Sequence, residues 1–213
     1  LALIKDYPNE PILYNISGIC YKTIGKLDEA VKSFEKALTI RPNYAEVHYN
    51  LGITLKILGQ LGAAVKCYEK AIAIKPGYAE AYNNLGNALQ DLGQLDEAVK
   101  SFEKALAINP DYANAYNNLG FTLQELDQLD TAIKCYEKAV TLKPDYAEAH
   151  NNLGNAFYDL GQLNPSIKSY EKAITLKPDY AEAYHNHGNA LLEFKRLDEA
   201  LANYERAITL NPD

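Results

Sequence analysis

A proline recurs every 34 residues along almost the whole chain, at Pro8, Pro42, Pro76, Pro110, Pro144, Pro178 and Pro212. Gly18, Gly52, Gly86, Gly120, Gly154 and Gly188 keep the same interval. A fixed period of this length marks a repeat architecture, in which one small unit is copied and each copy buries its apolar face against the next. Counting from Pro11, the units span residues 11–44, 45–78, 79–112, 113–146, 147–180 and 181–213. Residues 1–10 read as the tail of a preceding unit, because Pro8 falls in phase.

Each unit holds two amphipathic stretches. In the third, Tyr82, Leu85, Gly86 and Leu89 recur at steps of three and four, the helical period. Gly93-Gln94 makes a turn, and Leu95, Ala98, Phe102 and Ala105 carry a second helix that Pro110 stops. Capping boxes are predicted at Asn43 with Glu46, Asp145 with Glu148 and Asp179 with Glu182. Asp28, Asp96, Asp130, Asp198 and the Asn164 before Pro165 are predicted caps of the second helices. A large ring stands at the 24th position of every unit: Phe34, Tyr68, Phe102, Tyr136, Tyr170 and Tyr204. Small residues at the 8th, 20th and 27th positions leave room for it.

An aromatic at position 4, Leu-Gly at 7 and 8, Ala at 20, an aromatic at 24, Ala at 27 and Pro at 32 resemble the tetratricopeptide repeat (TPR) family over residues 11–213. The resemblance implies an all-α fold: a right-handed superhelical solenoid of antiparallel helix pairs, with each first helix lining a concave groove that takes a peptide or protein segment. Departures are few: His48 and His150 replace the position-4 aromatic, Ser17 and His187 the position-7 Leu, Asp127 and Lys195 the turn Gly, and Ser166 the Ala.

On a wheel of 100° per residue, positions 4, 7, 8 and 11 of the first helix form a core side. Positions 2, 5, 6, 9, 12 and 13 form the opposite side, the expected groove. Asn50 starts a column continued by Asn83, Asn84, Asn87 and Gln90 in the third unit. The fourth unit offers Asn117, Asn118, Phe121 and Gln124. The fifth offers Asn151, Asn152, Asn155 and Tyr158, and the sixth His185, Asn186 and Asn189. Asn is a poor helix former, and its amide both donates and accepts, so it suits the main chain of a bound segment. Helices 8–10 Å apart and a chain advancing about 3.3 Å per residue give about three ligand residues per unit. The Asn columns resemble the asparagine ladder in the TPR arm of O-linked N-acetylglucosamine transferases. Asp91, Glu125, Asp159 and Glu193 flank the columns, which favours an extended ligand of neutral to basic character. Chaperone-binding TPR domains grip a carboxylate with groove Lys and Arg, which this groove lacks where that mode needs them. The first two units differ, with Ile12, Ile19, Tyr49, Ile53 and Ile57 on this face.

The chain carries 21 Lys and Arg against 28 Asp and Glu, a net charge of −7, which disfavours nucleic acid and anionic membrane as partners. No apolar run reaches membrane-spanning length. Cys20, Cys67 and Cys135 are an odd set, suited to a reducing, cytoplasmic setting rather than a disulfide framework. His185 and His187 diverge on one helix and form no metal pair, and no cofactor motif or nucleophile–base pair stands out. No catalytic, cofactor or metal site is expected. The start at Leu1 suggests a piece of a longer protein, such as the substrate-recruiting arm of a glycosyltransferase. Apolar residues at both solenoid ends also raise homo-oligomerisation by stacking.

Overall fold

The computed structural model describes residues 2–211, with side chains from residue 4 onward. Among these residues every regular element is an α-helix. The chain forms two compact units, Leu1–Pro110 and Asp111–Asp213. The first contains α1 (Ala2–Asp6), α2 (Pro11–Thr23), α3 (Leu27–Ile40), α4 (Ala45–Ile57), α5 (Leu61–Ile74), α6 (Ala79–Asp91) and α7 (Leu95–Ile108). The second contains α8 (Ala113–Glu125), α9 (Leu129–Leu142), α10 (Ala147–Asp159), α11 (Leu163–Leu176), α12 (Ala181–Glu193) and α13 (Leu197–Leu210). In both units consecutive helices pair as hairpins, α2 with α3 through α12 with α13, and hairpins pack in series within each unit.

The ring at the 24th position holds each hairpin shut. Phe34, Tyr68, Phe102 and Tyr136 are wholly buried, and Tyr170 is 1% exposed. Each lies against the glycine at the 8th position of its own first helix. A Cβ on Gly86 would stand 2.6 Å from Phe102 Cε1, and one on Gly154 would stand 2.5 Å from Tyr170 Cε1. Glycine costs a helix about 1 kcal/mol against alanine, and here the missing side chain is the space the ring occupies.

The turns between first and second helices need a left-handed residue. Gly93 and Gly161 supply it at φ 73° and 70°, while Asp127 and Lys195 adopt the same conformation at φ 59° and 63°. The helix starts differ from expectation. The residues before the first helices are Tyr44, Tyr78, Tyr112, Tyr146 and Tyr180, and none makes a side-chain cap bond. Asp28, Asp96, Asp130 and Asp198 lie inside the first turn of their helices, where a carboxylate meets the positive end of the helix dipole. Pro165 also falls in the first turn of α11, where its missing N–H has no helical partner to lose.

The first helices are buried over a wider arc than one hairpin requires. Val47, Ala81, Ala115, Ala149 and Ala183 at the third position are fully buried, as are Thr54, Ala88, Thr122, Ala156 and Ala190 at the tenth. The position-4 rings of Tyr82, Tyr116 and Tyr184 are only half-buried. A first helix inside a unit touches its own second helix, the preceding hairpin and the following one, so three directions are covered rather than one. On α13, Leu197, Leu201 and Ile208 are 61%, 59% and 65% exposed. The apolar residues at positions 1–3 and the pair at 212–213 lie outside the described side chains.

His187 departs from the repeat in a coupled way. It takes the place of Leu153 and Leu119 in earlier repeats, and its Nδ1 lies 3.0 Å from Asn203 Oδ1 on α13. Asn203 Nδ2 donates to the Glu199 carbonyl, so its oxygen faces the ring and His187 Nδ1 carries the proton. Nε2 is then a bare, buried acceptor without a partner. Burial lowers the His187 pKa below its ordinary 6.5, outweighing the opposing Asn203 hydrogen bond; Glu171 and Glu199 oppose the shift and Arg196 adds to it.

Two outcomes follow from this packing. Gly154→Val is expected to cost about 2 kcal/mol or more of unfolding free energy by urea denaturation, because the Tyr170 ring cannot retreat. His187 contributes stability that is fully present above 6.5 and is lost as pH falls below it towards the folded value, since the unfolded state takes the proton first. Protection factors of amides in α12 and α13, after correction for the intrinsic pH dependence of exchange, are therefore expected to fall on acidification in the natural chain, and to stay level in His187→Leu.

Candidate functional site

The amides form a hydrogen-bonded lattice between neighbouring first helices. In the first unit, Asn50 Nδ2 donates to Asn15 Oδ1 at 3.1 Å and Asn84 Nδ2 donates to the Tyr49 hydroxyl at 3.1 Å. In the second unit, Asn152 Nδ2 donates to Asn117 Oδ1 at 3.1 Å and Asn186 Nδ2 to Asn151 Oδ1 at 3.3 Å. All four bonds join the sixth position of one repeat to the fifth position of the repeat before it. A second set runs from the fifth position to a carboxylate at the second position of the next repeat: Asn117 Nδ2 to Glu148 Oε1 at 3.4 Å, and Asn151 Nδ2 to Glu182 Oε1 at 3.2 Å.

This lattice corrects the wheel-based reading at the fifth position. Asn83, Asn117 and Asn151 are 5%, 2% and 0% exposed, so they are interior side chains rather than groove lining. Asn152 is also buried, at 9%. At Asn117 and Asn151 the first helix of the following repeat packs over the fifth position, and a wheel that counts only the hairpin partner misses that cover. Asn50, Asn84, Asn87, Gln90, Asn118, Gln124, Asn155, Tyr158, Asn186 and Asn189 are half-buried, and Phe121 and His185 are exposed. The His185 ring lies 5.7 Å from that of Tyr204.

A third set of bonds ties the twelfth position to the carboxylate at the thirteenth position of the next repeat. Lys56 Nζ pairs with Asp91 Oδ2 at 3.1 Å, and Gln124 Nε2 donates to Asp159 Oδ2 at 2.6 Å. The Tyr158 hydroxyl bonds the Glu193 carboxylate, which pushes the phenol pKa up. The groove carboxylates are thus engaged along one edge, by donors of three chemical kinds.

The ring row also reaches this face. The Tyr170 hydroxyl donates to Asn155 Oδ1 at 2.7 Å, the Tyr204 hydroxyl to Asn189 Oδ1 at 2.9 Å, and the Tyr136 hydroxyl to Gln124 Oε1 at 3.0 Å. Sequence reasoning treated these tyrosines as core and Glu148 and Glu182 as caps. The available signal was spacing: partners recur 31 and 35 residues apart, one repeat minus or plus a short step.

In the second unit these residues surround a cavity of about 340 Å³ lined by Gln124, Asn155, Tyr158, Asp159, Tyr170, Glu182, Asn186 and Asn189. No Lys or Arg occurs on α8, α10 or α12. Among the described residues, no group of three or more His, Cys, Asp or Glu side chains is placed to hold a metal ion. No helix is long and apolar enough to cross a membrane.

The TPR repeat model matches residues 21–59, 54–93 and 154–194, and tetratricopeptide repeat models match residues 77–145 and 181–213. The chain belongs to the tetratricopeptide repeat family. Among solved TPR-type structures, MamA is 28% identical over 76% of this chain and 95% of its own, with a TM-score of 0.70. YrrB, described as a TPR protein with an unusual peptide-binding site, is 26% identical over 86% of this chain and 94% of its own, with a TM-score of 0.69. PilF of Pseudomonas aeruginosa, at 21% identity, shares the fold over 95% of this chain and 92% of its own, with a TM-score of 0.83. No curated protein matches the chain significantly.

Within this TPR chain the fifth-position amides have a stability role that can be measured. Asn151→Ala leaves one hydrogen bond from Asn186 and one to Glu182 unmade. It is expected to lower unfolding free energy by about 1–3 kcal/mol in urea titrations, whereas His185→Ala, at an exposed position, should stay within about 0.5 kcal/mol.

Proposed function

We propose that the chain is a protein-interaction scaffold that holds an extended polypeptide segment against its first helices, with the amide-lined cavity of the second unit as a principal contact. The observation that carries this reading is the set of half-buried amides, Asn155, Asn186 and Asn189, on the walls of that cavity. Such groups bind main-chain amides of any sequence. The peptide-binding site ascribed to YrrB agrees with the family's use of this scaffold.

The fifth-position amides are removed from the contact set because the lattice buries them. Asn50, Asn84 and Asn87 offer similar chemistry in the first unit, whose helices α2 and α4 also carry the exposed Ile12, Ile16, Ile19 and Ile57. Glu125, Glu148, Asp159, Glu182 and Glu193 give the first helices of the second unit a negative balance, which favours a neutral to basic segment.

Selection of a random peptide library displayed on phage against the whole chain tests the reading. Enriched peptides are expected to carry zero or positive net charge, the positive ones binding less tightly as salt rises, and all to lose affinity on the Asn155→Ala, Asn189→Ala double change. Enrichment no greater than on an unrelated helical protein would refute the proposal.

A further inference from the structure

We propose that the cavity of the second unit has a fixed hydrogen-bond polarity, in which the Glu182 carboxylate orients Asn186 to present a carbonyl acceptor and Asn155 an N–H donor to one extended main chain, with Asn189 adding a second donor. This rests on the reading that the second unit binds a polypeptide segment, and it specifies how.

The assignment begins from a group that admits one role. An ionised carboxylate accepts hydrogen bonds and cannot donate. Glu182 Oε1 therefore takes the amide nitrogen of Asn151, at 3.2 Å. That turns the Asn151 oxygen towards Asn186, which must answer with its own nitrogen, at 3.3 Å. The same nitrogen reaches Asn155, at 3.1 Å, so the oxygen of Asn155 is the atom facing it. The Tyr170 hydroxyl completes that oxygen at 2.7 Å. Each step fixes the next amide, and the order runs from Glu182 through Asn151 and Asn186 to Asn155.

At the cavity wall, the atoms these bonds leave over are the oxygen of Asn186 and the nitrogen of Asn155. They belong to directly bonded neighbours, so an acceptor and a donor stand side by side. Asn189 lies outside that chain of bonds; its oxygen takes the Tyr204 hydroxyl at 2.9 Å, and in that arrangement it repeats the donor one repeat on. In an extended chain the N–H and C=O of one residue lie on the same edge, where a β-sheet partner would exchange both bonds with them. The Asn186–Asn155 pair offers that exchange from side chains. A lone ammonium or guanidinium would use the acceptors and leave the Asn155 and Asn189 nitrogens unmatched.

Changing Asn155 and Asn189 together to Asp separates these possibilities. Asp keeps the oxygen that receives Tyr170, Asn186 or Tyr204, and replaces the outward donor with an acceptor. The probe is an uncharged, end-capped peptide enriched on the natural chain from a random phage library, and helical content and urea midpoint verify folding of the variant. Affinity is expected to fall roughly tenfold to hundredfold in the double variant. A single N-methyl group scanned along the peptide main chain should produce one or two positions with a similar loss. In the free protein, side-chain NH₂ exchange measured by NMR should be slow for Asn151 and fast for Asn155 and Asn189. Unchanged or tighter binding by the Asp variant, or fast exchange at Asn151, would overturn the fixed polarity alone. Failure of the natural chain to enrich any peptide would overturn the functional reading together with it, while the exchange pattern would still report on the wiring itself.

Discussion

The aromatic ring at the 24th position of each repeat occupies space that exists only because the eighth residue has no side chain. Phe34 against Gly18 and Tyr170 against Gly154 are the same contact, with a hypothetical Cβ 2.5 Å from the ring in both. That contact sets how near the two helices of a hairpin come, and so where the first helix meets the next hairpin. The small residues at neighbouring positions, such as Ala81 and Ala88, allow the close approach to extend to the following repeat. Packing of this kind is short-range, and stability in such arrays is close to a sum over repeats and their interfaces.

The same ring links core to groove. All three repeats of the second unit carry Tyr at this position, and each hydroxyl reaches a side-chain amide on the first helix. Phe34 and Phe102 in the first unit have no such reach. The second unit thus combines a buried ring with an oriented amide, and the Glu182 carboxylate at the other end of the lattice removes the two-fold ambiguity that a chain of amides alone would keep. A polar network of this kind is costly unless every member is satisfied. Asn151, fully buried, has both amide atoms engaged.

The groove is less charged in effect than its composition suggests. Asp91, Asp159 and Glu193 each accept from the repeat before them, so carboxylate character is spent partly on holding repeats together. In the proposed polarity the groove amides likewise divide their atoms, one inward and one outward. The proposed binding surface and the inter-repeat interface are therefore built from the same residues, and a change made to alter one is felt by the other. Asn155 is an exception that chemistry allows, because Asp can replace it without disturbing the inward bond.

By itself the sequence determined the repeat, the helix pairs, the turn positions and the ring-against-glycine core, because each is a local pattern that recurs at 34 residues. It also placed Asn155, Asn186 and Asn189 on first helices, where the structure has them half-buried around one cavity. Only the tertiary structure decided that Asn83, Asn117 and Asn151 are interior. At Asn117 and Asn151 that depends on a neighbouring first helix about one repeat away in sequence, which a single-helix wheel does not contain. Which atom of Asn151 faces Glu182 was equally hidden, since Asn has the same formula whichever way it turns, and only the carboxylate placed beside it makes the choice.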